Sequence, residues 1–191
     1  MRDAEATRRR IVAAATAEFA EHGIAGARVD RIARAAVTNK AQLYSYFGNK
    51  DALFDAIFAR HVADTVDAVP LTPLDLPGYA VGLYDAYLRD PALVRLLTWA
   101  RLERTPTGEL FGHVPDHDVD NLRALADAQA AGVLVDDVAP ADLWAMLIAL
   151  AGTWAQAAIV HTASAEQAPA EHDRRRAALA RTTRRAFCCR G

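Results

Sequence analysis

Lysine is nearly absent from this sequence, because only Lys40 and Lys50 among its 22 basic residues are lysines. Cysteine is equally rare, and the two cysteines are neighbours at positions 188 and 189. Neighbouring cysteines near one end of a chain provide neither a disulfide framework nor the spacing of a tetrahedral metal site. We therefore expect a protein of the reducing cytoplasm rather than a secreted one.

A hydrophobic leader and a clear membrane span are also lacking. The chain opens with MRDAEATRRR, which is mostly charged and unlike a signal peptide. Residues 143–160 form an uncharged run of eighteen residues, the lower limit for a spanning helix. Seven of the eighteen are Ala or Gly and one is Gln156, which suits a helix buried against other helices. We expect no membrane association.

The residue sets that enzymes need are missing as well. There is no glycine-rich phosphate loop, no Rossmann pattern and no nucleophile paired with a base. The only metal-like cluster is HVPDHD at residues 113–118, and carboxylates near a helix start are favoured by the helix dipole without any metal. We therefore predict no enzymatic activity, no metal site and no cofactor.

What the sequence does have is a marked charge asymmetry along the chain. Residues 1–50 carry a net charge of +4, residues 51–170 carry −11 and residues 171–191 carry +5. A basic N-terminal segment indicates a polyanionic partner. The C-terminal arginines are more typical of a solvated helix face with ion pairs to acidic residues than of a second contact to DNA.

Helical signals fill almost the whole chain. Alanine is abundant, and alternating apolar and polar runs are absent, which predicts an all-α fold of about nine helices. Proline, glycine and asparagine mark the expected helix ends. The expected helices cover approximately residues 4–22, 28–36, 40–47, 50–69, 78–89, 91–104, 116–130, 140–162 and 171–187.

The second and third of these helices are short and have the form of a helix-turn-helix. Asn39 is a good N-cap for the third helix, and Leu43 and Phe47 make an inward apolar pair one turn apart. Eight residues give a length of roughly 12 Å, which matches the width of a DNA major groove. The third helix is therefore the candidate reading helix.

The outward residues of the third helix suit contacts to DNA. Gln42 can pair with an adenine edge, Lys40 can donate to guanine or phosphate, and Ala41 can pack on a thymine methyl group. Tyr44 and Tyr46 offer hydroxyl groups to phosphate oxygens. These assignments place one of the two lysines on the reading helix.

The other lysine, Lys50, lies in the first turn of the fourth helix. Its charge opposes the helix dipole there, so we expect a bound phosphate to compensate it. On this interpretation both lysines are flexible point charges next to a nucleic-acid backbone. The alternative is a solvated helix pair whose tyrosines cover the core.

Residues 23–54, GIAGARVDRIARAAVTNKAQLYSYFGNKDALF, resemble the N-terminal DNA-binding domain of the TetR family of bacterial transcriptional regulators. The matching positions are Gly23, Val29, Ile32, Ala33, Ala36, the NKAQLYSYF run at residues 39–47, Lys50, Asp51 and Leu53. The resemblance implies a helix-turn-helix domain at residues 1–48 and a helical effector-binding and dimerisation domain at residues 49–191. The DNA-contacting set would be Arg28, Asn39, Lys40, Ala41, Gln42, Tyr44, Tyr46 and Lys50.

Two departures from the family pattern affect this domain. The family usually starts the second helix with Thr or Ser, where this chain has Ala27 and Arg28, so the usual cap is lost while Arg28 can still reach a phosphate. The family usually has Gly-Val in the turn, where this chain has Val37 and Thr38. Because Val37 is β-branched and resists a positive φ, we expect a rearranged turn or a locally shifted helix.

The resemblance further implies a regulator, expected to be a repressor, that binds a palindromic duplex operator as a homodimer and is released by a small-molecule effector. In the family the last two helices pair across the dimer. Small residues of the helix at 142–161 and apolar residues of the last helix are then the candidate interface: Ala145, Ala149, Gly152, Ala155, Leu179 and Phe187.

Aromatic residues of the middle segment are candidates for the effector pocket, although aromatics at helical spacing usually belong to the core. The candidates are Tyr84, Tyr87, Trp99, Phe111 and Trp144. The acidic excess of residues 51–170 favours neutral or cationic ligands. The alternative function is a helical protein-interaction module in which the altered turn has abolished DNA binding.

Overall fold

A computed structural model describes residues 2–108, 110, 117–155 and 158–189. These residues contain nine α-helices and two short 3-10 helices, and their only β feature is an isolated bridge between Leu134 and Cys188. The all-α fold predicted from the sequence is confirmed. Within the same residues, no helix is long and apolar enough to cross a membrane.

The helices follow one another in the order and lengths that the sequence predicts, with one exception at α8. They are α1 (Arg2–Gly26), α2 (Val29–Ala35), α3 (Lys40–Phe47), α4 (Lys50–Ala68), α5 (Leu76–Arg89), α6 (Pro91–Glu103), α7 (His117–Ala130), α8 (Pro140–Ala151) and α9 (Pro169–Phe187). The chain forms two compact units, one of residues 1–64 and 92–110 and the other of residues 65–91 and 111–191. The functional boundary expected at residues 48 and 49 stays a prediction.

The first unit has its core between α1, α2, α3 and α4. Ile11 and Phe19 are fully buried at the helical spacing noted in the sequence. The Phe19 ring meets the ring of Phe54 edge to face, with centroids 5.3 Å apart. This apolar contact fixes α1 against α4 and supports the short helices between them.

Helix α6 belongs to the first unit and packs on the end of α1. The indole Nε1 of Trp99 donates to the Ala20 carbonyl over 3.3 Å, and the Nε of Arg95 donates to the same oxygen over 2.5 Å. The carboxylate of Glu103 accepts the Ala25 N–H over 2.7 Å. These side chains satisfy backbone groups that the end of a helix leaves unpaired.

The second unit buries α5 between α8 and α9. Its core includes Tyr84 from α5, Leu143 and Leu147 from α8, and Leu179 and Phe187 from α9. The hydroxyl of Tyr84 forms a 2.7 Å hydrogen bond with Nδ1 of the buried His172. A buried tyrosine is expected to find such a partner.

Helix α8 is shorter than predicted, because it ends at Ala151 rather than near residue 162. Gly152 is a poor helix former and begins a 3-10 turn that ends at Trp154, after which Ala155 is extended. The Thr153 hydroxyl donates to the Leu150 carbonyl over 2.6 Å. Trp154 then lies against Tyr84, with ring centroids 5.9 Å apart. An uncharged run does not by itself predict a continuous helix.

The turn between α2 and α3 keeps a left-handed residue in spite of its sequence. Val37 has a φ of 52°, so the expectation of a rearranged turn or shifted helix is wrong. The Thr38 N–H donates to the Ala33 carbonyl over 2.9 Å, and the Val37 N–H donates to the Arg34 carbonyl over 3.2 Å. This pair of hydrogen bonds is a Schellman motif, in which glycine usually takes the left-handed position.

Replacing Val37 by Gly is expected to stabilise the protein by about 1 kcal/mol, because the left-handed strain of a β-branched residue exceeds the entropy cost of glycine. Val37 is 78% exposed, so little burial is lost. The melting temperature should rise by roughly 2–4 °C. Ala35→Gly, two residues earlier in ordinary helix, should instead destabilise by roughly 0.5–1 kcal/mol. Equal decreases of the melting temperature in both variants would contradict this account.

Candidate nucleic-acid interface

Helix α3 has one buried face and one exposed polar face. The side chain of Asn39 accepts the Gln42 N–H over 2.8 Å, as predicted for the N-cap. Leu43 and Phe47 are 0% and 8% exposed and anchor the helix in the core. The opposite face is exposed and consists of Lys40, Ala41, Gln42, Tyr44 and Ser45. It offers amide, hydroxyl and ammonium groups, which are the groups that contact DNA bases and phosphates.

Lys40 is paired with an acid from α2. Its Nζ lies 2.8 Å from Oδ1 of Asp30, and both side chains are more than half exposed. The hydrogen bond to Asp30 raises the pKa of Lys40. The ammonium is therefore held at the start of α3, where Asp30 is a neighbour that sequence reasoning missed.

Lys50 is compensated differently from the prediction. Its Nζ lies 3.3 Å from the Ala25 carbonyl and 3.4 Å from the Ala27 carbonyl. These oxygens, at the end of α1 and just after it, offset the unfavourable position of the charge at the start of α4. The Lys50 charge is therefore compensated without the phosphate expected from the sequence, and a phosphate contact of Lys50 stays a prediction. An ammonium has three N–H donors, so one remains for a further acceptor.

The remaining predicted contacts differ in their exposure. Arg28 is exposed, and Tyr44 is 40% exposed. Tyr46 is only half-buried, and its ring centroid lies 6.4 Å from that of Phe47. All three lie in the first unit with α3, and each retains a side chain that solvent reaches.

Glu18 of α1 is a further residue of this site that the sequence did not reveal. Its carboxylate is 9% exposed and accepts the Arg28 N–H over 2.7 Å and the Arg31 Nε over 2.8 Å. Burial favours the neutral acid, but the hydrogen bonds from Arg31 and Arg28 outweigh it and lower the pKa of Glu18. Glu18 thus pairs the N–H of Arg28, the N-cap residue of α2, whose own side chain makes no capping hydrogen bond.

The predicted effector residues are placed in several environments. Tyr84 and Tyr87 line a cavity of about 180 Å³ in the second unit. Trp144 instead stacks on Tyr79, with ring centroids 5.9 Å apart. Trp99 lies in the first unit on α6. Phe111 falls outside the described residues, as do residues 113–116 of the metal-like run, and the residues that are described hold no cluster suited to a metal ion.

Most of the described residues that line the cavity are apolar, and none of them is basic. Besides the two tyrosines it is lined by Leu88, Pro91, Ala151, Ala155, Ala163, Ser164, Ala165 and Glu166. Burial raises the pKa of Tyr87 to about 12, so this hydroxyl remains a neutral donor at physiological pH. Ala155 was predicted to lie on α8 at the dimer interface. It lies after the end of α8 and is one of the residues that line this cavity.

The other predicted interface residues also divide into two groups. Ala145 and Ala149 are exposed on α8. Leu179 and Phe187 are 1% and 5% exposed in the core of their own protomer. Leu179 and Phe187 are therefore not available to a partner, which corrects that part of the prediction. Gly152 lies half-buried in the 3-10 turn after α8.

Two short helices joined by a tight turn and braced by α1 and α4, with a polar face on the second, define a helix-turn-helix DNA-binding protein. Residues 11–57 match the family model described as bacterial regulatory proteins, tetR family, and residues 75–185 match the Tetracyclin repressor-like C-terminal domain. The chain belongs to the TetR family. It is accordingly a DNA-binding transcriptional regulator and not an enzyme.

Individual relatives agree with this assignment. The HTH-type transcriptional repressor SCO4008 of Streptomyces coelicolor is 42% identical over 156 residues, covering 81% of this chain and 80% of that protein. The HTH-type transcriptional repressor NicS of Pseudomonas putida is 28% identical, covering 77% and 74%. The crystal structure of the putative transcriptional regulator SCO4942 of Streptomyces coelicolor superimposes with a TM-score of 0.78 at 39% identity, covering 95% of this chain and 98% of that one.

Glu18→Gln is expected to lower the free energy of unfolding by about 2 kcal/mol at pH 7, because it weakens buried, charge-assisted hydrogen bonds. A lowered pKa contributes stability that is present above the unfolded-state value and is lost as the pH falls through the folded-state value. The difference in unfolding free energy between wild type and variant, measured by urea titration, should therefore become smaller below about pH 4.3.

The neighbouring Glu21→Gln is the matched control for Glu18→Gln. The side chain of Glu21 is 74% exposed, so its replacement should change the unfolding free energy by less than about 0.5 kcal/mol at any pH. Similar effects of the two variants, or a difference in unfolding free energy for Glu18→Gln that does not depend on pH, would show that the Glu18 carboxylate does not stabilise the start of α2.

Proposed function

We propose that this regulator binds a palindromic DNA operator as a homodimer, represses transcription there, and is released when a small molecule occupies the cavity of the second unit. The single observation that carries the DNA part is the exposed polar face of α3, held by the Asn39 cap and the buried Leu43 and Phe47. In this proposal α3 enters the major groove. Arg28, Tyr44, Tyr46 and the free N–H of Lys50 contact phosphates.

Operator binding by one copy of α3 would bury little DNA surface. Helix-turn-helix proteins normally bind two half-sites about 34–36 Å apart, so the operator symmetry mirrors a dimer. The dimer surface in this proposal is the exposed side of α8 and the segment after it, where Ala145, Met146, Ala149, Ile159 and Val160 are exposed. A patch of exposed apolar side chains is typical of an interface.

The cavity supports a small neutral or cationic effector. Its lining provides two tyrosine rings, the Ser164 hydroxyl and one carboxylate, from Glu166, and its other described residues are apolar. Aromatic rings attract cations through their faces, and an acid without a basic neighbour in the lining disfavours anions. Helix α6 begins at Pro91, which lines the cavity, and continues into the first unit. Movement of this helix is the proposed route of release.

The alternative of a protein-interaction module without DNA binding has lost its main argument. That alternative depended on a turn disrupted by Val37, whereas Val37 adopts the left-handed conformation.

A regulator of bacterial transcription acts where the DNA is, so we propose that the protein works in the cytoplasm. The relatives SCO4008 and NicS are both described as repressors, which supports repression as the direction of control.

Arg28→Ala should weaken binding to every duplex sequence, because the guanidinium is proposed to neutralise a phosphate and not to contact a base. The slope of log K against log salt should fall by roughly two units per dimer. Arg123→Ala removes the same charge from a side chain that is 70% exposed in the second unit, and it should leave the slope unchanged. Indistinguishable slopes in fluorescence anisotropy titrations would refute the proposed contact.

For the effector, benzyltrimethylammonium and benzyl alcohol should raise the melting temperature and release the operator, whereas benzoate should do neither. Glu166→Gln should weaken operator release by benzyltrimethylammonium by about threefold to fivefold. Release by benzyl alcohol should be unchanged. Asp137→Asn, an exposed acid outside the lining, is the matched control. A response to benzoate alone would rule out the proposed ligand class.

A further inference from the structure

Gln42 is engaged by its neighbours at nearly all of its polar groups. Its backbone N–H is accepted by the Asn39 side chain over 2.8 Å, and its carbonyl oxygen accepts the Ser45 hydroxyl over 2.7 Å. Its side-chain Oε1 accepts the Thr38 hydroxyl over 2.6 Å. Among the described residues, the side-chain NH₂ of Gln42 has no partner. It lies on the exposed face of α3.

Thr38 is itself fixed by the turn that precedes α3. Its N–H donates to the Ala33 carbonyl over 2.9 Å as part of the Schellman motif, and that motif depends on the left-handed Val37. The hydroxyl of Thr38 is thereby held one turn before Gln42. The position where the family usually has valine carries here a hydroxyl that valine lacks.

This arrangement changes the chemistry that Gln42 offers to a base. An unconstrained glutamine pairs with adenine by accepting from N6 and donating to N7. Oε1 faces the Thr38 hydroxyl and accepts from it, so the polar group left free at the end of the side chain is the NH₂ with its two N–H donors. The base edge with two acceptors in the major groove is guanine, through O6 and N7.

We infer that Thr38 is a specificity-determining residue, which orients the Gln42 amide so that it recognises guanine and not adenine in each half-site. The inference rests on the proposed operator binding through α3. It revises the adenine pairing expected for Gln42 from the sequence alone. Thr38 acts through Gln42 and is therefore a positioning residue.

Two simpler roles of the Thr38 hydroxyl make different predictions. If the hydroxyl only stabilises the start of α3, its loss lowers the melting temperature without changing base preference. If the hydroxyl donates to a DNA phosphate, its loss weakens binding to all sequences equally. Only an orienting role changes which base is preferred.

The test is selection of bound duplexes from a library randomised around a palindrome, with wild type, Thr38→Val, Thr38→Ser and Gln42→Ala. Valine keeps the β-branched shape and removes the hydroxyl, and serine keeps the hydroxyl. Wild type and Thr38→Ser should enrich guanine over adenine at one position in each half-site. In Thr38→Val that ratio should fall by roughly fivefold, and in Gln42→Ala the preference should disappear.

The outcomes separate this inference from the proposed function. If Gln42→Ala removes a guanine preference that Thr38→Val leaves intact, or if wild type prefers adenine there, the role of Thr38 is wrong while operator binding stands. A uniform loss of affinity in Thr38→Val also overturns the inference. If wild type selects no sequence at all, operator binding through α3 fails, and the inference fails with it. Circular dichroism melts of each variant confirm that the selected protein is folded.

Discussion

The reading helix depends on one left-handed residue in the turn between α2 and α3. Val37 provides the positive φ, and the hydrogen bonds of Thr38 and Val37 to α2 close the end of that helix. The same turn places Asn39 where its side chain caps α3. The direction of α3 and the exposed position of Gln42 therefore both follow from a conformation that a β-branched residue adopts only under constraint.

Tertiary contacts supply what the local sequence of the helix-turn-helix lacks. Helix α2 has no capping side chain of its own, and Glu18 from α1 instead accepts the N–H of Arg28, the N-cap residue of that helix. The backbone carbonyls of Ala25 and Ala27 have a similar role for Lys50, whose charge would otherwise be unfavourable at the start of α4. In each case a group distant in sequence compensates for a feature that looks unfavourable when only neighbouring residues are considered.

Local signals explain why much of the fold could be predicted. Asn39 and Asn49 are N-caps whose side chains accept the Gln42 and Ala52 N–H groups, and such contacts span only three residues. The end of α8 could not be predicted, because the turn at Gly152 is stabilised by packing of Trp154 on Tyr84. Hydrophobic patterns likewise marked Leu179 and Phe187 as apolar without showing which protomer would bury them.

For the site, the sequence indicated the exposed residues of α3 and not their partners. The ion pair of Lys40 with Asp30 and the hydrogen bonds of Glu18 with Arg28 and Arg31 join residues at least ten positions apart. Spacing along one helix carries no information about such contacts. The hydrogen bond from Thr38 to Gln42 is local, but its importance appears only once the positive φ of Val37 is known.

The central claim is that α3 reads the major groove in two symmetric half-sites, with Gln42 next to a guanine. Methylation interference on a selected duplex tests it most directly, because dimethyl sulfate blocks guanine N7 in the major groove. The account predicts that methylating one guanine in each half-site, with the two half-site centres about 10 base pairs or a multiple apart, prevents binding. Binding that tolerates methylation at every guanine N7 would contradict it.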